Sequence, residues 1–151
     1  LEKAAESDHA EASYYLANLY YYGYGVTRNV SRALEYYQKA AELGHAKAQY
    51  QLGCLYYYGI HVTQSYSVAL EWFKQSAAQN DTPSMNMIGR MREDGLGLGQ
   101  SLEKACVWYR KAADLGDEES RRKLNSLYEQ GLLAEKPVFT ESAEPEVYQI
   151  N

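Results

Sequence analysis

Apolar positions along the chain follow a helical period, and the whole pattern returns every 36 residues. Blocks begun at Ala10, Ala46, Thr82 and Glu118 lay SYYLANLYYYGYGV over QYQLGCLYYYGIHV, over MNMIGRMREDGLGL and, in the last block, over RKLNSLYEQGLL. The second halves, SRALEYYQKAAELG, SVALEWFKQSAAQN and LEKACVWYRKAADLG, align in the same way. Leu16, Leu52, Ile88 and Leu124, with Tyr20, Tyr56 and Tyr128 four residues on, predict the core face of each unit's first helix. Ala17, Gly53 and Gly89 are small, so a neighbouring helix is expected to approach closely there.

Punctuation falls at the same period. Gly23, Gly59, Gly95 and Gly131 follow each first helix, where a left-handed cap favours a residue without a β-carbon. Asn29, Ser65 and Ser101 suit the N-cap of the second helix, because a short side-chain oxygen can accept a free amide of the first turn. Ala33, Tyr37 and Ala41 form its buried stripe, followed by Ala69, Phe73 and Ala77 and then Ala105, Tyr109 and Ala113; Gly44, Asn80 and Gly116 end it. His9 and His45 occupy the same inter-unit turn position, and a turn histidine is expected to be solvated. The expectation is an all-α chain of seven to eight antiparallel helices, over about residues 3–22 and 30–130, with no sheet. Its parts are a partial unit 1–9, units 10–45, 46–81 and 82–117, a half unit 118–131, and a tail 132–151. The tail is read as capping the last helix through Leu132, Leu133 and Phe139, or as disordered.

The run Leu52-Gly53-x-x-Tyr56-x-x-Gly59, the loops Gly23-x-Gly25-Val26 and Gly95-x-Gly97, and Ala-x-x-Trp-Tyr-x-Lys-Ala-Ala from Ala105 to Ala113 resemble the Sel1-like repeat family. That family is related to the tetratricopeptide repeats, whose unit has about 34 residues and a shorter internal loop. The likeness covers residues 1 to about 131. It implies an α/α superhelical solenoid and an adaptor role, in settings such as bacterial host interaction, secretion, effector-immunity pairs and eukaryotic quality control. The chain departs from the pattern at His61, in place of the loop's second glycine, at Arg92, in place of a core tyrosine, and in losing the second half-unit after Gly131.

Composition narrows the function. The 151 residues carry 15 Lys plus Arg against 20 Asp plus Glu, a formal charge of -5, which argues against nucleic acid or an anionic membrane as partner. The longest uncharged stretch, Ala12 to Thr27, is too short and too glycine-broken to span a bilayer. Cys54 and Cys106 are too few and too far apart for a disulfide framework or a structural metal site, and no cofactor motif is present. The compartment stays open among bacterial cytoplasm, periplasm and secretion, and so does the oligomeric state. The chain opens on Leu1 and LEKAAESD, which reads as a trimmed or processed start.

Sixteen tyrosines stand beside two phenylalanines, and thirteen of them precede residue 76. By analogy with tetratricopeptide solenoids, the first helices line a concave groove. Its inward positions are Glu11, Tyr14, Asn18, Tyr21 and Tyr22, then Lys47, Tyr50, Cys54, Tyr57 and Tyr58. Further along they are Asn86, Arg90, Glu93 and Asp94, then Arg122, Glu129 and Gln130, so the lining changes from aromatic to charged. Six tyrosines exposing part of each ring would present about 300 Å², the size of an interaction patch. The competing reading stacks Tyr21 on Tyr57 and Tyr22 on Tyr58 as structural ladders. The expected partner is a protein or peptide, with tyrosines for apolar or proline-rich segments and Arg90, Arg92 and Arg122 for acidic ones. Arg92 has a second reading, in which its stem packs in the core and its guanidinium reaches Glu93 or Asp94.

Two Ser-x-x-Lys tetrads, Ser101 to Lys104 and Ser120 to Lys123, raise the alternative of a serine-type β-lactam-recognising enzyme using Ser101 and Lys104. The Ser-Asp-Asn and Lys-Thr-Gly partners of that class are absent, and Ser101 already has a capping role. The Gly95 to Gly99 run follows a helix and lacks a following Lys-Ser or Lys-Thr, so it reads as the repeat's own loop and not as a phosphate cradle. A non-catalytic scaffold is therefore expected.

Overall fold

A computed structural model describes residues 2–139, with side chains from Asp8 onward. It is all-α: α1 (Glu2–Tyr22), α2 (Val30–Glu42), α3 (Ala46–Tyr58), α4 (Tyr66–Ala77), α5 (Thr82–Asp94), α6 (Leu102–Asp114) and α7 (Glu118–Glu129), with no strand among the described residues. The chain divides into two compact units, residues 1–84 and 85–151.

In the first unit, Ala33, Tyr37, Ala40 and Ala41 of α2 meet Ala17 of α1 and Ala48, Leu52 and Leu55 of α3 in one buried cluster. Alanine on both sides lets the helices come close, and the Tyr37 ring fills the remaining space. Phe73 of α4 lies over Gly53 of α3; a β-carbon there would fall 2.5 Å from the ring. In the second unit Tyr109 of α6 lies over Gly89 in the same way. Ala105, Tyr109 and Ala113 form a core with Leu124 and Leu127 of α7. Leu133 and Phe139 pack against it, and the Arg121 guanidinium sits over the Phe139 ring at 5.2 Å. Leu132, expected beside them, is exposed. The rest of the tail, 140–151, lies outside the described residues.

The loops inside the helix pairs follow one plan. Gly23, Gly59 and Gly95 take left-handed conformations, and the side chains of Arg28, Gln64 and Gln100 reach back to the carbonyls of Tyr21, Tyr57 and Glu93 at 3.0, 2.9 and 3.0 Å. These bonds satisfy carbonyls left over where the helix ends. Asn29, Ser65 and Ser101 then cap the second helices, accepting the amides of Arg32, Val68 and Lys104. Asn80 adopts a left-handed φ of 64° at the end of the second helix, as do Gly44 and Gly116, and His61 takes one of 61° where the other loops have Gly25 and Gly97.

Several sequence expectations are corrected. The turn expected at His9 does not form, since α1 runs unbroken through it; where the later units have Gly44, Asn80 and Gly116, the chain has Asp8, which stays helical. Leu16 is 39% exposed while Leu52, Ile88 and Leu124 are at most 2% exposed. Leu52 is covered by α2 and Leu124 by α6, and among the described residues no helix precedes α1. Tyr128 is likewise exposed. His45 is not merely solvated, because its Nδ1 accepts the Ala48 amide at 3.2 Å and caps α3.

Candidate partner-binding surfaces

On the first unit the tyrosines divide into supporting and accessible rings. Tyr37 is fully buried, and its hydroxyl donates to Asn18 Oδ1 at 2.6 Å. Burial pushes its pKa well above the ordinary value, so it remains a donor. Around it, Tyr14 stacks on His45 at 4.5 Å, and Tyr21 meets Tyr37 and His61 edge-on at 6.0 and 5.9 Å. Tyr50 leans on Phe73 and hydrogen-bonds Cys54, and burial raises its pKa as well. Tyr57 was expected to face the groove but is only 8% exposed, wedged edge-on against Tyr58 and Tyr66. Of the predicted groove tyrosines the accessible rings are Tyr22 at 53%, held between Tyr21 and Tyr24, and Tyr58 at 54%; Tyr15 and Tyr24, outside the predicted positions, are exposed as well, and so are Glu11 and Lys47.

On the second unit, polar residues surround a cavity of about 390 Å³ lined by Asn86, Arg90, Tyr109, Glu119, Arg122 and Lys123. Of the predicted groove residues it brings together Asn86, Arg90 and Arg122. Asn86 is buried, its amide donating to Ser120 Oγ at 3.0 Å. Glu93 Oε2 accepts the Tyr109 hydroxyl at 2.6 Å and its Oε1 meets Lys123 Nζ at 2.8 Å. Burial and that carboxylate push the Tyr109 pKa far up. Asp94, Glu129 and Gln130 are exposed outside the lining, and Gln130 bonds Ser126. The guanidinium of the half-buried Arg92, expected at Glu93 or Asp94, instead donates to the Gly99 carbonyl at 3.1 Å and holds the loop after α5.

Asn18 and Glu93 therefore serve a purpose that helical periodicity alone does not reveal. Each accepts the hydroxyl of a buried second-helix tyrosine, Tyr37 or Tyr109. Phe73, at the same repeat position in the middle unit, has no hydroxyl to satisfy. The alternation of Tyr, Phe and Tyr was the available signal. The serines of both Ser-x-x-Lys tetrads are engaged locally: Ser101 Oγ caps α6, and the buried Ser120 donates to Asp117 while Lys123 pairs with Glu93. No described helix is long and apolar enough to cross a membrane.

Known proteins place this arrangement. The chain is similar to a solved Sel1 repeat protein from Oxalobacter formigenes, 28% identical, with a TM-score of 0.75 over 83% of this chain and 96% of that one. It is similar also to c5321, a protective antigen of uropathogenic Escherichia coli displaying an SLR fold, at 29% identity and a TM-score of 0.78. That match covers 86% of this chain and 28% of c5321, so the chain spans just over a quarter of that antigen's length. The cysteine rich protein B of Helicobacter pylori, 21% identical over 79% of this chain and 96% of that one with a TM-score of 0.63, shares the fold. No curated protein matches the sequence. The Sel1 repeat pattern matches residues 10–45, 46–81 and 82–117, so the chain belongs to the Sel1 repeat family, α/α solenoids that are generally non-enzymatic protein-interaction scaffolds.

Proposed function

We propose that this chain is a non-catalytic scaffold that binds a protein or peptide partner through the tyrosine face of its first unit. The observation that carries the reading is the exposure of Tyr22 and Tyr58, each more than half accessible and each braced by a neighbouring ring. A braced tyrosine offers a large rigid area and a hydroxyl at little cost in conformational entropy, which suits an anchor. Tyr21 braces Tyr22 and Tyr57 braces Tyr58, while Tyr14 and Asn18 hold the buried Tyr37. The solved relatives come from bacteria, and a bacterial adaptor is the setting we infer.

The test is affinity capture from a bacterial lysate on immobilised wild-type chain and on a Tyr22→Ala, Tyr58→Ala double variant, with quantitative mass spectrometry. A partner enriched on the wild type and lost on the variant, with helicity unchanged by circular dichroism, is the expected result. An unchanged capture profile would remove the tyrosine face from the site. For the enzyme alternative at Ser101 and Lys104, a chromogenic β-lactam should show no turnover; turnover abolished by Ser101→Ala would overturn the scaffold reading.

A further inference from the structure

We propose that the cavity on the second unit is a subsite for a peptide carboxylate, so that the partner of this scaffold carries an acidic segment. The inference rests on the scaffold reading but is independent of the tyrosine face. Three of the six lining residues, Arg90, Arg122 and Lys123, are cationic and one, Glu119, is acidic, in a chain whose net charge is -5. The pocket is thus a local exception to the protein's overall charge.

Its wall is organised from behind. Glu93 uses one oxygen on the Tyr109 hydroxyl and the other on Lys123, so an otherwise competing carboxylate is tied to the wall. Asn86 is buried and tied to Ser120, which fixes α5 against α7 at the floor. Arg90 and Arg122 come from these two helices, and both side chains lie on the exposed surface. Guanidinium groups match carboxylates through paired parallel hydrogen bonds, a geometry that a lysine ammonium lacks. With Lys123 already paired to Glu93, and Asp94 adding negative charge near Tyr109, the two guanidiniums face one lining carboxylate, Glu119, a balance that suits a monoanionic carboxylate better than a dianionic phosphate. At about 390 Å³ the cavity admits one or two side chains or a chain end.

Fluorescence anisotropy on the full chain tests this with a labelled oligoglutamate peptide, acetylated and amidated at its ends. Unlabelled competitors are the glutamine peptide of equal length, a neutral peptide with a free C-terminus, a phosphoserine peptide and inorganic phosphate. Binding should weaken as salt rises and fall about tenfold or more in Arg122→Gln and in Arg90→Gln. The Tyr22→Ala, Tyr58→Ala variant should bind the probe as the wild type does, which separates failure here from failure of the tyrosine face. Competition by the free C-terminus identifies a chain end as the carboxylate source, and its absence identifies side chains; either supports the subsite. Equal competition by the glutamine peptide, stronger competition by the phosphoserine peptide or phosphate, absence of probe binding, or unchanged affinity in both arginine variants would each overturn it.

Discussion

A hydrogen atom is all that position 53 admits, because the Phe73 ring occupies the space of a β-carbon. Gly53→Ala should cost about 1 to 3 kcal/mol by overpacking, read as a lower midpoint in thermal unfolding, and Gly53→Leu more. From sequence, Tyr57→Ala is expected to be the milder change, on the premise that Tyr57 is exposed. Its burial between Tyr58 and Tyr66 removes that premise: Tyr57→Ala should lose about 3 kcal/mol or more, while Tyr58→Ala stays within about 1 kcal/mol. Equal losses at the two tyrosines would contradict the assigned faces. His45 supplies a pH-dependent contribution. Burial lowers its pKa, with Lys47 adding to the shift and Glu11 opposing it, and only the neutral ring can accept the Ala48 amide. The folded pKa lies below the unfolded value of about 6.5, so the unfolded chain takes up the proton first. The stabilisation is therefore present above pH of about 6.5 and fades as the pH falls below it. His45→Asp, the residue type at the matching caps Asp81 and Asp117, should keep the cap and flatten the decline in melting temperature between about pH 7 and 5; an unchanged slope would refute this.

Helices and loops were legible in the sequence wherever the chemistry is local. Glycine or asparagine at the stops and a short polar residue at each N-cap are required by the backbone of a single turn, whatever packs around it. Side chains of the candidate site were less legible, because exposure depends on what lies across from a helix. Tyr57 and Tyr58 are adjacent and chemically identical, yet the placement of Tyr66 at the start of α4 buries one and leaves the other open. The bond from residues 28, 64 and 100 back to the first helix was missed for a related reason. It recurs at the repeat period but uses Arg once and Gln twice, so neither charge nor hydropathy marks it. Gln64→Ala should strand the Tyr57 carbonyl and cost about 1 kcal/mol, whereas Gln64→Arg, copying Arg28, should be close to neutral; urea unfolding compares the two.

For the whole molecule, a repeat position does not carry a fixed energy, because each unit buries its apolar face only against its neighbours. Leu16 and Leu52 are the same residue at the same repeat position in the same compact unit, 39% and 2% exposed. Leu55 is buried where Leu19 is exposed, so the difference belongs to the helix and not to one rotamer. The cover over α3 is the alanine and tyrosine stripe of α2, and α1 has no counterpart to it among the described residues. Leu52→Ala should therefore lose about 2 to 5 kcal/mol, combining lost transfer energy with a cavity that rigid helices cannot close. Leu16→Ala, removing atoms already partly in water, should stay below about 1 kcal/mol. Chemical denaturation of both variants decides the matter, since helix propensity changes identically in the two and cancels from the comparison. Equal losses would mean either that the repeat position sets stability irrespective of neighbours or that α1 is covered in solution by something that packs on it as α2 packs on α3.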